Sequence, residues 1–418
     1  MSILIIGGGQ AGLQSADSLR AEGYTGNITI IADEQGLPYQ RPPLSKDYLT
    51  PGKEAKPLPL RGETFFTDKD ITILTGVAAS SINRERRSVA LSDGTTLDYE
   101  RLILATGTRN RTLNCPGAQL PGIHSLRTLT DAQALHAALP TAKNVVVIGA
   151  GFIGLEFAAA ARAHGCTTTV LEFAPRPMGR ALSPVMGDWF AGAHERLGIN
   201  LKLSEGINRF EAGEHGGVST AVSTTGASYP ADLVVVGIGV LPNDALAHDA
   251  GLETENGILV DERLCTSDPN ILAVGDCANF PHPLAGGNIR LESVQNATDQ
   301  ARHAARTIMA PDGDRNETDS YADLPWFWST QGPYRLQMAG LARPEDDTLV
   351  LGDPAAAKFS VLCFRDGILA AVESVNAPAD HMAARKLLAG SARLSRQEAE
   401  AQGFTLKAAA KSLLAALA

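Results

Sequence analysis

Paired cysteines are missing from this sequence. Its five cysteines, Cys115, Cys166, Cys265, Cys277 and Cys363, are scattered with no C-x-x-C among them, which excludes a redox dithiol of close neighbours and fits a reducing compartment. The nine histidines form no H-x-x-x-H and no mixed Cys/His group, so no metal site is expected. A basic surplus is lacking as well: 36 Lys+Arg against 46 Asp+Glu leave a net charge of -10, which argues against a dedicated nucleic-acid binder. No apolar stretch reaches the ~18 residues of a membrane-spanning helix, so no membrane partner is expected. Met1-Ser2-Ile3-Leu4-Ile5-Ile6 runs directly into glycines without a basic n-region or cleavage site. It reads as a buried strand, not a signal peptide, and a cytoplasmic location is expected.

What the sequence does have is apolar material, 44% of 418 residues with only 20% charged, enough for packed cores. At roughly 150 residues per domain, two to three domains are expected. One pattern occurs twice: an apolar run, a glycine turn, then an Ala-rich helix. The first copy is Ser2 to Ile6, Gly7-Gly8-Gly9-Gln10-Ala11-Gly12, a helix through Arg20, then a β run from Asn27 to Ile31 ending at Asp33. The second is Asn144 to Ile148, Gly149-Ala150-Gly151-Phe152-Ile153-Gly154, a helix through Ala163, then Thr167 to Leu171 ending at Glu172. Each is a G-x-G-x-x-G at a strand-to-helix junction with an acid some ~20 to 25 residues on. Those glycines serve a tight turn, close approach of backbone to pyrophosphate, and close helix packing; the helix N-terminus offers free N–H groups to phosphate.

Two further strand-like runs, Leu102 to Gly107 and Ile271 to Asp276, fall outside these units, the later one after the second unit is complete at Leu233 to Gly239. The second unit therefore reads as inserted in the first. Near Pro325 a third region begins, where Asp366-Gly367 between Phe359–Phe364 and Ile368–Val375 signals a hairpin. From Ser395 onward the chain reads as amphipathic helix docked on its own domain. The expected fold is α/β: two Rossmann-like dinucleotide-binding domains, the second inserted in the first, and a smaller α+β C-terminal domain. The boundaries are 1–110 with 242–322, 111–241, and 323–418.

These features, with Pro38-Tyr39-Gln40-Arg41-Pro42-Pro43-Leu44-Ser45-Lys46, Ala105-Thr106-Gly107, Gly237 to Asn243, Gly275-Asp276-Cys277, Glu292 to Ala297 and Pro325-Trp326-Phe327-Trp328, resemble the two-dinucleotide flavoprotein (glutathione-reductase-like) superfamily. Within it the sequence is similar to the putidaredoxin-reductase-like ferredoxin reductases of bacterial P450 and aromatic-ring dioxygenase systems. The resemblance implies FAD in the first domain and NADH in the second. It implies FAD contacts at Gly7, Gly9, Ala11, Gly12, Asp33, Lys46, Ala79, Arg127, Asp276 and Val294. For the nicotinamide coenzyme it implies Gly149, Gly151, Ile153, Gly154, Glu172 and Gly239, with Glu172 on the adenosine ribose favouring NADH over NADPH.

Disulfide reductases of this fold pass electrons through cysteine beside the flavin, whereas the matching stretch here carries Pro42-Pro43. Electrons must then leave the flavin directly, and Cys277 reads as a packing residue. The protein's share of such chemistry is orientation and electrostatics, and the resemblance implies a Lys46–Glu156 ion pair near the reacting atoms. The implied activity is NADH:ferredoxin oxidoreduction, with a [2Fe-2S] ferredoxin docking transiently and electrostatically. An NADH-dependent rubredoxin reductase or NADH oxidase-type flavoprotein is the alternative. Arg41, Arg61 and Arg302 are candidates for a docking patch against the overall negative charge. Trp326 and Trp328 stand between two roles, shielding the flavin or packing in a core.

Overall fold

A computed structural model describes residues 2–310, 320–390 and 393–415. They form two compact units. The first comprises Met1–Gln40, Leu58–Arg109 and Val240–Asp323; the second comprises Arg41–Pro57, Asn110–Gly239 and Leu324–Ala418. Segment 41–57, which the sequence assigns to the first dinucleotide domain, thus groups with the second unit. The C-terminal region groups there too.

The first unit is built on a five-stranded parallel sheet in the order Ile271–Ala273, Arg101–Leu104, Ser2–Ile6, Asn27–Ala32, Ile71–Thr75. Its strands are rich in Ile and Leu, and those at its centre are buried along most of their length, as expected where helices or loops cover both faces. Ile3, Ile5, Ile30, Leu102, Ile103 and Ile271 are essentially inaccessible. The edge strand Ile271–Ala273 returns to this sheet after the whole second glycine unit, which is the topology of an insertion. Helix Gln10–Ala21 buries Ala11, Leu13, Ala16 and Leu19, and helix Val294–Met309 lies against it, linked by Gln10 Nε2 to Thr298 Oγ1 at 3.1 Å.

The second unit contains a matching parallel sheet, Asn200–Leu203, Thr167–Glu172, Asn144–Ile148, Leu233–Val236, Ile123–Ser125. Here the edge strand precedes the glycine turn in the chain instead of following it. The same unit holds a five-stranded antiparallel sheet, Trp326–Gln331, Tyr334–Gly340, Ile368–Val375, Lys358–Arg365, Asp347–Asp353. Asp366 and Gly367 join the fourth strand in space to the third with φ of 51° and 74°, both in the left-handed region that a two-residue hairpin turn requires. Helix Pro378–Ala389 buries Ala383, Ala384 and Leu387 in the cluster that contains Leu362, Phe364 and Val372. Beyond Ser395 the chain makes two short helices, Arg396–Ala399 and Leu406–Ala415, in place of one. The break passes through Gly403 at φ 78°.

Candidate active site

The two glycine turns have the same physical logic, glycine by glycine. A Cβ on Gly7 would lie 2.1 Å from the Ala105 carbonyl oxygen, and one on Gly12 would lie 1.9 Å from that of Gly7. Close backbone packing therefore demands both. A Cβ on Gly9 would meet no protein atom within 4 Å. Its smallness serves nothing inside the protein and leaves room for a group from outside. In the second turn, Gly149 and Gly154 would place Cβ atoms 2.5 Å from the Gly237 oxygen and 2.2 Å from the Gly149 oxygen, while Gly151 has its nearest neighbour at 3.9 Å.

The two helices after these turns lack side-chain caps, as do Glu63–Asp68, Ala245–Asp249 and Pro378–Ala389. Helices beginning at Leu129, Pro184 and Val294 are closed by the side chains of Thr128, Ser183 and Ser293. Helices Gln10–Ala21 and Phe152–Ala163 begin after Gly9 and Gly151 with no side-chain cap. Uncapped N–H groups at the positive end of a helix, next to a glycine with open space, fit a dinucleotide pyrophosphate. Ile153, 43% exposed, belongs to the second turn.

In the first unit, Ala11 stands against the turn Gly275–Cys277, where a Cβ on Gly275 would come within 2.9 Å of the Ala11 methyl. Gly275 N donates to Gln300 Oε1 at 2.7 Å, and Arg290 Nη1 donates to the Asp276 carbonyl at 3.0 Å. Val294 opens its capped helix, and Ala79 opens the strand Ala79–Asn83. The first glycine turn, Ala11 and the Gly275 turn are therefore held together.

The two acids are offset by one residue. Gly7 N donates to Ile31 O and Gly149 N to Leu171 O, each at 2.8 Å, so Ala32 occupies the place of Glu172 and exposed Asp33 follows it. Glu172 Oε2 accepts from Ala150 N at 2.6 Å and Oε1 from Ala174 N at 2.8 Å. Gly239 accepts from Arg111 N at 3.0 Å.

Within the second unit Lys46 and Glu156 meet. Pro42 and Pro43 start a 3-10 turn through Ser45, their fixed φ suiting its first positions. A second 3-10 turn, Asp47–Leu49, follows Lys46. Lys46 Nζ lies 2.6 Å from Glu156 Oε2 and also donates to the Pro42 carbonyl at 3.1 Å. The Glu156 side chain is 1% exposed and that of Lys46 19%. Two serines that the sequence reading did not single out complete the carboxylate: Ser45 Oγ donates to Oε2 at 2.5 Å and Ser329 Oγ to Oε1 at 2.6 Å. No alternation of apolar and polar residues along Trp326–Gln331 marks Ser329. Arg127 lies in the same unit, its carbonyl accepting from Arg41 Nη1 at 2.8 Å.

The other sequence candidates have plainer surroundings. Cys277 is fully buried with its thiol directed at the Leu104 and Val274 carbonyls, and burial pushes its pKa up. Arg61 pairs with Asp17 and Arg302 with Asp299, each at 3.0 Å, which weakens both as a free cationic patch. Trp326 and Trp328 stack on each other with centroids 5.5 Å apart, and Arg385 lies 4.1 Å over Trp326. Among the described residues no group of three His, Cys, Asp or Glu is placed to hold a metal, and no helix is long and apolar enough to cross a membrane.

Residues 1–301 match the family model "Pyridine nucleotide-disulphide oxidoreductase" and residues 326–410 match "Reductase C-terminal". The chain is 48% identical over 409 residues to rhodocoxin reductase of Rhodococcus erythropolis, covering 98% of this chain and 94% of that protein. In structure it is similar to the ferredoxin reductase for the CYP199A2 system of Rhodopseudomonas palustris, with TM-score 0.93, 45% identity and 98% and 99% of the two chains covered. It is equally similar to the reductase in the covalent putidaredoxin reductase-putidaredoxin complex, with TM-score 0.93, 36% identity and 99% of each chain covered. With the two glycine turns, the returning strand and this match over most of its length, the chain belongs to the pyridine nucleotide-disulphide oxidoreductase family.

Proposed function

We propose that this chain is an FAD-dependent NADH:ferredoxin oxidoreductase that delivers single electrons to a [2Fe-2S] ferredoxin feeding a P450 or ring-hydroxylating oxygenase. The observation that carries the reading is the ion pair of Lys46 with buried Glu156, Lys46 following Pro42-Pro43 where a thiol relay needs cysteine. FAD held by these residues would supply chemistry that takes up two electrons from NADH and gives them out singly, as a one-electron iron-sulfur carrier requires.

The protein's residues bind, orient and set the field. In this reading Gly9 and the uncapped helix after it receive the FAD pyrophosphate, with Ala11, Asp33, Ala79, Asp276 and Val294 around the rest of the cofactor. Gly151, Ile153 and the helix they start receive the coenzyme pyrophosphate, with Glu172 and Gly239 beside it. Lys46 and Arg127 are carried over from the resemblance as cofactor contacts, and Glu156 fixes the Lys46 ammonium in place. The chain divides functionally into an FAD domain (1–110 and 242–322), an NAD domain (111–241) and a C-terminal domain (323–418). A cytoplasmic site of action accords with NADH as donor.

The test is NADH-driven reduction of a panel of purified ferredoxins and rubredoxins, with oxygen uptake followed in parallel. Fast, selective reduction of a [2Fe-2S] ferredoxin is expected. Preference for rubredoxin, or oxygen uptake as the fast reaction without any carrier, would replace this reading with the corresponding alternative.

A further inference from the structure

A carboxylate as deeply buried as that of Glu156 stays charged at acceptable cost only when its oxygens are answered by donors. Lys46 and Ser45 answer Oε2, and Ser329 answers Oε1. Ser329 is itself completely buried, and its oxygen accepts from Gln331 Nε2 at 3.1 Å, leaving the hydroxyl proton to point at Glu156. Gln331 Nε2 also touches Met178 Sδ at 3.3 Å. Gln331 Oε1 can only accept, so His194 Nε2, 2.7 Å away, carries a proton and donates it. His194 lies on helix Pro184–Arg196, and its Nδ1 has no hydrogen-bond partner among the described residues. Burial lowers its pKa, so the ring is neutral.

Every bond in this row runs one way, from His194 through Gln331 and Ser329 to Glu156, and aligned hydrogen bonds polarise one another. Ser329 and Gln331 are two residues apart on one strand and share a face with Phe327, whose ring lies 4.7 Å from that of Phe152 on the helix that carries Glu156. Packing alone does not call for them: apolar side chains would fill the same interior but would leave Glu156 Oε1 without its donor.

We propose that Ser329, Gln331 and His194 are positioning residues for the redox reaction. The strand that opens the C-terminal region completes the Lys46–Glu156 pair, giving Glu156 Oε1 its donor and so holding the carboxylate and Lys46 Nζ in one arrangement. The proposal rests on the reading of that pair as part of the redox machinery.

Two measurements on the purified protein test it: stopped-flow bleaching of the flavin by NADH, and the rate at which Lys46 is acetylated by acetic anhydride, read by mass spectrometry. Removing one hydrogen bond to a charged group should slow bleaching at saturating NADH about tenfold in Ser329→Ala, with KM little changed, and speed Lys46 acetylation about tenfold. Ser329→Thr should restore both. Gln331→Leu should move both in the same direction by about threefold, because it acts through Ser329; it decides the question if Ser329→Ala does not fold. If Lys46→Met is slow while Ser329→Ala and Gln331→Leu match the wild type in both measurements, this proposal alone is overturned. If Lys46→Met itself bleaches at the wild-type rate, the reading of the pair fails and the proposal falls with it.

Discussion

The Glu172 carboxylate holds the backbone amide of Ala150 at 2.6 Å, tying the end of one strand to the glycine turn after its neighbour. Its other oxygen takes the Ala174 amide, so the negative charge is fixed beside the turn assigned to the coenzyme. A 2′-phosphate there would face that charge, whereas a ribose hydroxyl could donate to it. Arg176, which could otherwise receive a phosphate, is engaged by Asp188 at 2.9 Å. NADH should therefore be preferred over NADPH. Replacing Glu172 by Ala should lower the ratio of the two kcat/KM values by about tenfold or more, the scale of one lost charged contact. An unchanged ratio would place discrimination elsewhere.

The glycines of the first turn should respond differently to the same substitution. Gly12→Ala places a methyl into the Gly7 carbonyl, and Gly12→Leu should push the helix off the strand and give colourless or unfolded protein. Gly9 has φ -86° and open space, so Gly9→Ala should fold normally, as judged by circular dichroism and melting. Its FAD affinity should nevertheless fall, because the methyl enters the space left for the pyrophosphate. Full FAD occupancy with unchanged affinity in Gly9→Ala would remove the cofactor from that turn.

Thiols should be dispensable. Cys166, Cys277 and Cys363 are buried, and burial raises the pKa of each, so little nucleophilic thiolate is present. A variant with all five cysteines replaced by Ala or Ser should keep turnover from NADH to a one-electron acceptor. It should lose roughly 1 kcal/mol of stability per buried site. A folded cysteine-free protein whose flavin bleaches but delivers no electrons would reinstate a sulfur relay.

What could be read in the sequence was local backbone chemistry. Gly7 to Gly12, Gly149 to Gly154 and Asp366-Gly367 demand special backbone geometry, so residue type alone marks them. The returning strand Ile271–Ala273 was legible because an apolar run remained after the second unit was complete. Ser329 was not legible, since its role depends on a pairing across 173 positions with Glu156 and a buried serine has no periodic signature. The one-residue offset between Asp33 and Glu172 stayed hidden because register appears only when strands pair. The half-buried, three-residue edge strand Ile123–Ser125 carries too little apolar pattern to announce itself. The C-terminal helix was right in composition, but Gly403 divides it.

Two buried groups in the C-terminal region should give stability opposite dependences on pH. Glu373 receives the Ser183 amide at 2.8 Å and hydroxyl at 2.5 Å, yet burial pushes its pKa up to about 7 from an ordinary 4.5. Between those values the folded protein keeps a proton that the unfolded chain releases. Stability is therefore lost as pH rises through this window, by up to ~3 kcal/mol. His381 has no hydrogen-bond partner on either nitrogen among the described residues, and burial, with Arg385 and Arg335 nearby, lowers its pKa to about 4 from 6.5. There the unfolded chain binds the extra proton, so stability is lost as pH falls from 6.5 toward 4. The two slopes oppose each other between 4.5 and 6.5, which flattens their combined effect in the wild type. Glu373→Gln should expose the acid-labile slope, with Tm falling more steeply on acidification than in the wild type. His381→Leu should expose the other, with Tm declining as pH is raised from 4.5 to 7. Melting curves collected across that range decide the matter: Tm profiles of both variants parallel to the wild type would assign the pH dependence to other groups.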